Sequence, residues 1–212
     1  MTLYGYWRST AAYRVRIALN LKQLPHQHQS VHLVKDGGQQ HQDDYTQLNP
    51  SHLVPTLIDD DKVLNQSVAI IQYLDQQYPG VNLLPQQPFE RAIVNGMALS
   101  IACEIHPLNN LRVLQHLEQQ LDVDGKGKID WMAHWMALGF AALEEQLQQH
   151  SGLYCFGDNV TLADLCLIPQ LYNARRFNIE LDCYPNILKV ERNCMLLDAF
   201  IDAQPEKQHD AQ

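Results

Sequence analysis

The sequence lacks a cysteine pattern that would hold a disulfide framework or a metal ion. Its five cysteines are odd in number and scattered, and no two of them form a C-x-x-C pair. This usage favours reduced, mostly buried thiols, and it argues against structural zinc and against a redox-active cysteine pair. We therefore expect no bound metal. The cysteines are Cys103, Cys155, Cys166, Cys183 and Cys194.

The sequence also lacks a long apolar run, because none approaches the roughly 18 residues that a membrane span needs. Residues 2–16 are polar and contain arginine, which does not fit a signal peptide. Cytoplasm is therefore the expected location. With 46% apolar and 18% charged residues, the 212 residues are typical of a globular protein with one large domain or two small ones.

Acidic residues are absent from the first 35 positions, although the whole chain has a net charge of −9. That segment carries +5, so residues 36–212 carry −14. The overall charge disfavours nucleic acid and anionic membranes as partners. The basic segment is either a chance feature of a short window or an anion-binding site built from the first strand and helix. Its cations are Arg8, Arg14, Arg16, Lys22 and Lys35.

Hydrophobic patterning predicts an α/β unit in the first 80 residues. Alternating runs predict strands at residues 3–7 and 27–34, and a β-hairpin turning at residues 59–61. Helical spacing predicts helices at residues 11–21 and 67–78. Residues 35–49 are polar and are expected to form a loop with a short helix. Val54-Pro55, at the entry to the hairpin, is a candidate cis peptide bond.

Beyond residue 80 the pattern changes to long helices, and we take residues 81–88 as a linker. Pro107 is expected to kink or restart the first of these helices. The chain after Ala203 is polar and is expected to fray. The predicted helices span residues 89–118, 129–149, 161–177 and 185–200.

Two features of the helical region are predicted to be structural. Trp131, Trp135, Leu138 and Ala142 recur at helical spacing and are predicted to form a stripe packed in the core. The segment from Thr161 to Asp164 has the form of a capping box, which we favour over a catalytic role.

Five segments of the sequence form recognisable motifs: YWRSTAAYRVRIAL at 6–19, LNPSHLVPTL at 48–57, QSVAII at 66–71, HPLNNLR at 106–112 and ARRF at 174–177. Together they resemble the zeta class of the glutathione transferases, which includes maleylacetoacetate isomerases and maleylpyruvate isomerases. The resemblance runs in colinear order from residue 3 to about residue 200. It implies an α/β thioredoxin-like N-terminal domain at residues 1–80 and an all-α C-terminal domain at residues 89–212.

The resemblance implies that the N-terminal domain binds glutathione. Ser9 or Thr10 would hold the glutathione sulfur as a thiolate, with Arg8 beside them. The class commonly has Ser-Ser-Cys where this chain has Ser9-Thr10-Ala11. The missing sulfur removes thiol–disulfide chemistry and leaves hydroxyl-dependent addition available. The other implied contacts to glutathione are Gln40, Val54, Pro55, Gln66 and Ser67, and without the resemblance each could equally be a loop, turn or capping residue.

In the C-terminal domain, the resemblance implies that His106 and Asn110 meet the cofactor. Asn110, Arg112 and Arg176 would meet the substrate, together with Arg8 of the N-terminal domain. His106, Asn110 and Val113 would share one helical face at i, i+4 and i+7. Arginines suit a dicarboxylate because the guanidinium fork binds carboxylates bidentately. Taken alone, Arg8 and Arg176 could equally be surface or salt-bridged arginines.

The implied activity is a cis–trans isomerisation of maleylacetoacetate to fumarylacetoacetate, by thiolate addition, bond rotation and elimination, in tyrosine and phenylalanine catabolism. Glutathione would be a cofactor that is not consumed, and transferase activity is a further expectation. The first alternative is a maleylpyruvate isomerase of aromatic degradation. An alternative of another class is a binding scaffold without catalysis. The resemblance also implies a homodimer.

Overall fold

The computed structural model describes all 212 residues, and they divide into two units. The first unit consists of Met1–Leu83 together with Met195–Gln212, and the second is Leu84–Cys194. None of the helices has both the length and the apolar character that crossing a membrane requires.

The first unit contains a four-stranded mixed sheet with strand order β2-β1-β3-β4. Strand β1 is parallel to β2 and antiparallel to β3, and β3 is antiparallel to β4. This is the α/β arrangement that the sequence predicted, although β1 and β2 are shorter than expected. The elements are β1 Thr2–Gly5, α1 Thr10–Leu21, β2 Gln27–Ser30, α2 Asp43–Thr46, β3 Thr56–Asp59, β4 Lys62–Asn65, α3 Ser67–Gln77 and α9 Asp198–Ile201.

Helix α1 supplies the centre of this unit's core. Nine of its twelve residues are buried, and the helix packs against α3 and α9. In the sheet, Leu3 and Leu57 are fully buried as well. The segment between β2 and β3 forms two single 3-10 turns followed by the short helix α2, as its polar composition predicted.

The second unit is all helical, as expected. A π-helical segment, Ser100–Ile105, and a 3-10 segment, His106–Asn109, follow its first helix. The predicted capping box is confirmed, since the Thr161 side chain and the Asp164 side chain cap each other's backbone at the start of the helix that begins at Leu162. The helices are α4 Pro88–Leu99, α5 Leu111–Leu121, α6 Gly125–His150, α7 Leu162–Arg176 and α8 Pro185–Cys194.

The predicted break at Pro107 is confirmed, and it is larger than a kink. The helix loses its α geometry at Ser100, before the proline, and α5 begins anew at Leu111 with Asn110 as its N-cap. Asn110 has extended backbone angles, φ −70° and ψ 146°. The prediction that His106, Asn110 and Val113 share one continuous helical face is therefore wrong.

The predicted core stripe on α6 is also wrong. Leu138 and Ala142 are exposed, and Trp131 and Trp135 are only partly buried. The buried side of the helix is formed by a second apolar series at helical spacing, which begins one residue after Trp131. That series is Met132, Met136, Phe140, Leu143 and Leu147.

The C-terminal part of the chain differs from both expectations for it. The predicted helix at 185–200 ends at Cys194, and a separate short helix, α9, follows in the first unit. The polar tail does not fray, because Asp210 accepts hydrogen bonds from the Trp7 amide at 3.2 Å and the Ser30 hydroxyl at 2.7 Å. These bonds fix the end of the chain to the sheet.

All five cysteines are free thiols, as the sequence predicted. Cys155, Cys166 and Cys194 are buried, whereas Cys103 and Cys183 are exposed. Burial, followed by the nearby Asp164 carboxylate, holds the pKa of the Cys194 thiol well above its usual range. The same two causes raise the pKa of Cys155, so neither buried thiol is a nucleophile at neutral pH.

Candidate active site

The pairing of the strands places three of the predicted segments at the same end of the sheet. Tyr4, near the end of β1, pairs with Thr56 at the start of β3, and Thr56 pairs with Asn65 at the end of β4. The chain continues from these positions into residues 8–10, 54–55 and 66–67. The sheet therefore gathers the candidate glutathione contacts at the carboxyl end of β1.

Ser9 is the N-cap of helix α1. Its hydroxyl oxygen accepts a hydrogen bond from the Ala12 amide at 3.1 Å, and its carbonyl accepts the Tyr13 amide at 2.9 Å. The hydroxyl oxygen is thus occupied as an acceptor, while no acceptor in the chain takes its hydrogen. Ser9 can therefore cap the helix and donate to an anion at the same time.

Arg8 and Thr10 flank this serine in different environments. The Arg8 guanidinium lies over the Trp7 ring, 4.1 Å from its centroid, and the side chain is half-buried. Thr10 is the first residue of α1 and is only 6% exposed. The partial exposure of Ser9 and the burial of Thr10 favour Ser9 as the group that an incoming ligand meets first.

Val54 and Pro55 are joined by a cis peptide bond, as predicted. The turn before them is held by Tyr45, whose hydroxyl lies 2.5 Å from the Leu53 carbonyl, and by Asn49, whose amide donates to the same carbonyl at 2.7 Å. Neither the amide nor the carbonyl of Val54 takes part in a backbone hydrogen bond of the chain. Its main chain can therefore pair with a peptide-like ligand in the manner of an added strand.

Gln66 and Ser67 stand at the start of helix α3. Gln66 is exposed and adopts a positive φ of 73°, which turns the chain sharply from β4 into the helix. Ser67 is buried, and its hydroxyl accepts a hydrogen bond from the Arg14 guanidinium at 3.3 Å. A buried cation and a helix N-terminus at one place favour binding of a carboxylate.

Arg14 is a part of the site that the sequence analysis did not assign. It is only 2% exposed and joins helix α1 to the start of α3. The basic charge of the first 35 residues was a signal for it, but helical position alone could not distinguish it from Arg16. Arg16 donates to the Trp7 carbonyl at 3.1 Å and the Ala203 carbonyl at 2.9 Å, and so supports the loop that carries Arg8 and Ser9.

Gln40 is buried rather than solvated. Its side-chain amide donates to the Leu33 carbonyl at 3.2 Å and lies 3.1 Å from His41 Nε2. Gly38 leaves the space for it, since a Cβ there would approach the Gln40 amide to 2.6 Å. The Gln40 Oε1 atom is buried with no hydrogen-bond partner, so the side chain keeps an acceptor for a further donor.

The candidate residues of the second unit lie around the break between α4 and α5. Asn110 caps α5 by accepting the Arg112 amide at 3.2 Å, and the Arg112 side chain is exposed. His106 begins the 3-10 segment and is partly buried. Arg176, at the end of α7, is exposed with its guanidinium 4.8 Å from the Phe177 ring centroid.

Comparison with known proteins agrees with this arrangement. Residues 3–82 match the family model for the glutathione S-transferase N-terminal domain. A probable maleylacetoacetate isomerase of Vibrio cholerae is 50% identical over 211 residues, covering 100% of this chain and 98% of the relative. The chain belongs to the zeta class of the glutathione transferases.

Two solved structures of glutathione transferases extend the match to the whole fold. A holo structure of a maleylpyruvate isomerase, described as a bacterial zeta-class enzyme, is 42% identical, with a TM-score of 0.97 and 100% of both chains covered. A maleylacetoacetate isomerase from Methylobacterium extorquens, with bound malonate and glutathione, is 37% identical with a TM-score of 0.96, again over 100% of both chains. The thioredoxin-like and helical fold expected for the zeta class is therefore confirmed.

Proposed function

We propose that this protein is a glutathione-dependent cis–trans isomerase that converts maleylacetoacetate to fumarylacetoacetate. The observation that carries the proposal is Ser9, whose hydroxyl hydrogen is available at the N-terminus of a buried helix, in a chain that matches isomerases along its full length. A hydroxyl donor at a helix N-terminus lowers the pKa of a thiol placed against it.

The residues present fit glutathione at three points. The unpaired main chain of Val54, next to Pro55, suits a peptide backbone. Ser67, supported by Arg14 and with Gln66 beside it, suits the γ-glutamyl carboxylate. Gln40, with its unpaired buried oxygen, suits the glycyl end, where it would accept from a peptide amide.

Bound glutathione would supply a thiolate that adds to the cis double bond, which becomes single and can rotate, and the thiolate would leave as the trans double bond forms. The chain's own residues set the conditions for that step. Ser9 donates its hydroxyl hydrogen to the sulfur, with Thr10 as a second donor, and stabilises the ionised form. Arg8 offsets the negative charge that develops on the substrate next to the sulfur.

We assign the substrate carboxylates to arginines. Arg8 in the first unit, and Arg112 and Arg176 in the second, are exposed or half-buried and able to form bidentate contacts. Asn110 would bind substrate and cofactor, and His106 would contact the cofactor. Support for a dicarboxylate comes from the Methylobacterium isomerase, whose structure holds malonate together with glutathione.

The decisive experiment follows isomerisation of maleylacetoacetate by purified protein with and without glutathione. We expect turnover only when glutathione is present and no net loss of glutathione over many turnovers. Equal rates without glutathione would refute the proposed mechanism. Consumption of glutathione in proportion to product would instead indicate transferase chemistry.

A second candidate substrate is maleylpyruvate, since the holo maleylpyruvate isomerase has a matching fold over both full chains. Both substrates are dianionic cis compounds that differ in the acyl tail. The ratio of their kcat/KM values decides between the two activities. A protein that fails to bind a glutathione resin and isomerises neither compound would instead be a non-catalytic scaffold.

The remaining features of the proposal concern organisation. Residues 1–80 would form the glutathione-binding domain, residues 81–88 the linker, and residues 89–212 the part that contributes substrate contacts. The enzyme would work as a homodimer in the cytoplasm, in keeping with its five free thiols. Light scattering coupled to size-exclusion chromatography measures the dimer directly.

A further inference from the structure

Two histidines and an aspartate converge where the C-terminal tail meets strand β2. His28 lies in β2, whereas His209, 181 positions later, and Asp210 lie near the end of the chain. One ligand atom from each lies within 4.8 Å of the others. No sequence spacing could reveal this group, which is why the cysteine pattern alone led us to expect no metal.

Two of the three distances between the ligand atoms are close to those around a small divalent cation, and the third is at most 4.8 Å. Tetrahedral zinc with ligand bonds of about 2.0–2.1 Å places its ligand atoms about 3.3–3.4 Å apart. His28 Nδ1 lies 3.4 Å from His209 Nδ1 and 3.8 Å from Asp210 Oδ1. Movement of a few tenths of an ångström brings His28 and Asp210 to that spacing.

The arrangement has a buried group that lacks a partner. The side chains of His28 and Asp210 are 9% and 10% exposed, and Asp210 Oδ1 is buried without a hydrogen-bond partner. A buried carboxylate oxygen in this state is costly unless a cation or a donor reaches it. His28 Nε2 is turned towards Gly5, 3.1 Å from where a Cβ would stand there, so Nδ1 is the nitrogen that faces the other ligands.

The surroundings of the carboxylate are those of a metal ligand. Ser30 and the Trp7 amide donate to Asp210 Oδ2 and leave Oδ1 directed at the histidines, as outer contacts do for ligating carboxylates. His209 is exposed, which leaves a side open to water as a further ligand.

We propose that His28, His209 and Asp210 form a binding site for a zinc-like divalent cation. The cation joins the last residues of the chain to strand β2. Through the Asp210–Trp7 hydrogen bond it also tethers the loop that continues into Arg8 and Ser9. The site is independent of the isomerase activity proposed above.

The test titrates zinc, and cobalt as its spectroscopic substitute, into the full-length protein freed of metal by a chelator. We expect one ion per chain, a rise in the melting temperature, and a visible cobalt spectrum without a thiolate charge-transfer band. His209→Ala removes a ligand at an exposed position and is expected to weaken binding at least about 100-fold. Ser30→Ala, which removes only an outer contact, is expected to weaken it by about 10-fold or more.

Two controls separate this site from other places where metals bind. His134→Ala removes another exposed histidine that, like His209, packs edge-on against a ring, and it should leave binding unchanged. His41 and His52 form a histidine pair, with Nδ1 atoms 2.9 Å apart, that has no carboxylate. Binding that survives His209→Ala but is lost in His41→Ala overturns the proposal.

Two further results overturn it. The first is a thiolate band in the cobalt spectrum, which assigns the ion to the exposed Cys103 or Cys183. The second is the absence of stoichiometric binding at micromolar metal. The proposal also fails if zinc raises the melting temperature equally in the wild type and in His209→Ala, because the stabilising ion then lies elsewhere.

Discussion

Replacing Ser9 by alanine removes two interactions at one atom, and their effects can be measured separately. The hydroxyl oxygen caps helix α1 through the Ala12 amide, and no acidic side chain in the first turn can substitute for it. Loss of such a cap lowers the free energy of unfolding by about 1 kcal/mol. The hydroxyl hydrogen is the proposed donor to the sulfur of bound glutathione.

The effect on the sulfur is larger than the effect on stability. A hydrogen bond to a charged group is worth about 1.5–3 kcal/mol, and one pKa unit corresponds to about 1.4 kcal/mol. Ser9→Ala is therefore expected to raise the pKa of the bound glutathione thiol by about 1–2 units. Below both pKa values, the thiolate fraction and the isomerisation rate should fall about 10- to 100-fold.

The assay is the ultraviolet absorbance of the thiolate in the binary complex, recorded as a function of pH, together with kcat at several pH values. Ser9→Asp keeps the capping oxygen but cannot donate, so it should retain stability while the thiol pKa still rises. Asp124→Ala removes the N-cap of helix α6, whose oxygen accepts the Gly127 amide at 2.7 Å. It should cost similar stability and leave the thiol pKa unchanged.

An unchanged thiol pKa in Ser9→Ala, together with a raised one in Thr10→Val, would refute the reasoning and make Thr10 the donor. Recovery of full activity in Ser9→Asp would also refute the role of the Ser9 hydroxyl as a donor to the sulfur. The loss in Ser9→Ala would then come from the helix cap alone.

Three further predictions concern binding and stability. Ser67→Ala should raise KM for glutathione at least about tenfold with little change in kcat, measured by steady-state kinetics. Asp164→Ala should lower the free energy of unfolding by about 3 kcal/mol or more, measured in urea, because three buried donors lose their acceptor. Burial would raise the pKa of Asp59, but hydrogen bonds from Tyr78 and Tyr73 hold it below its ordinary value. The lowered pKa of Asp59 adds stability that is present above the unfolded pKa and is lost as pH falls through the lower folded pKa. Replacing both tyrosines by phenylalanine should abolish this loss of stability at acid pH. Urea unfolding between about pH 3 and 7 measures it.

Matched variants keep these results interpretable. Ser100→Ala removes a part-buried serine whose hydroxyl contacts only the Met97 carbonyl, and it should not change KM for glutathione. Asp164→Asn keeps one acceptor oxygen and should be less destabilising than alanine. A Ser67→Ala enzyme with wild-type KM would remove Ser67 from the glutathione site.

Local chemistry made much of the first unit predictable. The start of α1 follows from a capping serine before an apolar run, and the hairpin follows from two alternating runs around an aspartate turn. The cis bond at Val54-Pro55 was predicted from its position before the hairpin. Each of these features depends on residues that are close in sequence.

The errors have a common physical origin in contacts between distant residues. On α6, the series through Trp131 and the series through Met132 both repeat at helical spacing, and only packing decides which one is buried. The tail was expected to fray because the bond that holds it, from the Trp7 amide to Asp210, spans 203 positions and leaves no signal in the local sequence. The role of Arg14 was missed for the same reason, since Ser67 lies 53 positions away.

The basic segment of the first 35 residues now resolves into cations with different tasks. Lys22 forms a buried ion pair with Asp75 at 3.5 Å and donates to the Val81 carbonyl, so its charge is matched. Arg14 donates to the Ser67 hydroxyl, and Arg16 donates to the Trp7 and Ala203 carbonyls, so each of them holds neighbouring segments in place. The N-terminus of α1 presents the positive end of the helix dipole at Ser9. A thiolate or a dianion near Ser9 is therefore stabilised locally, although the protein as a whole carries −9.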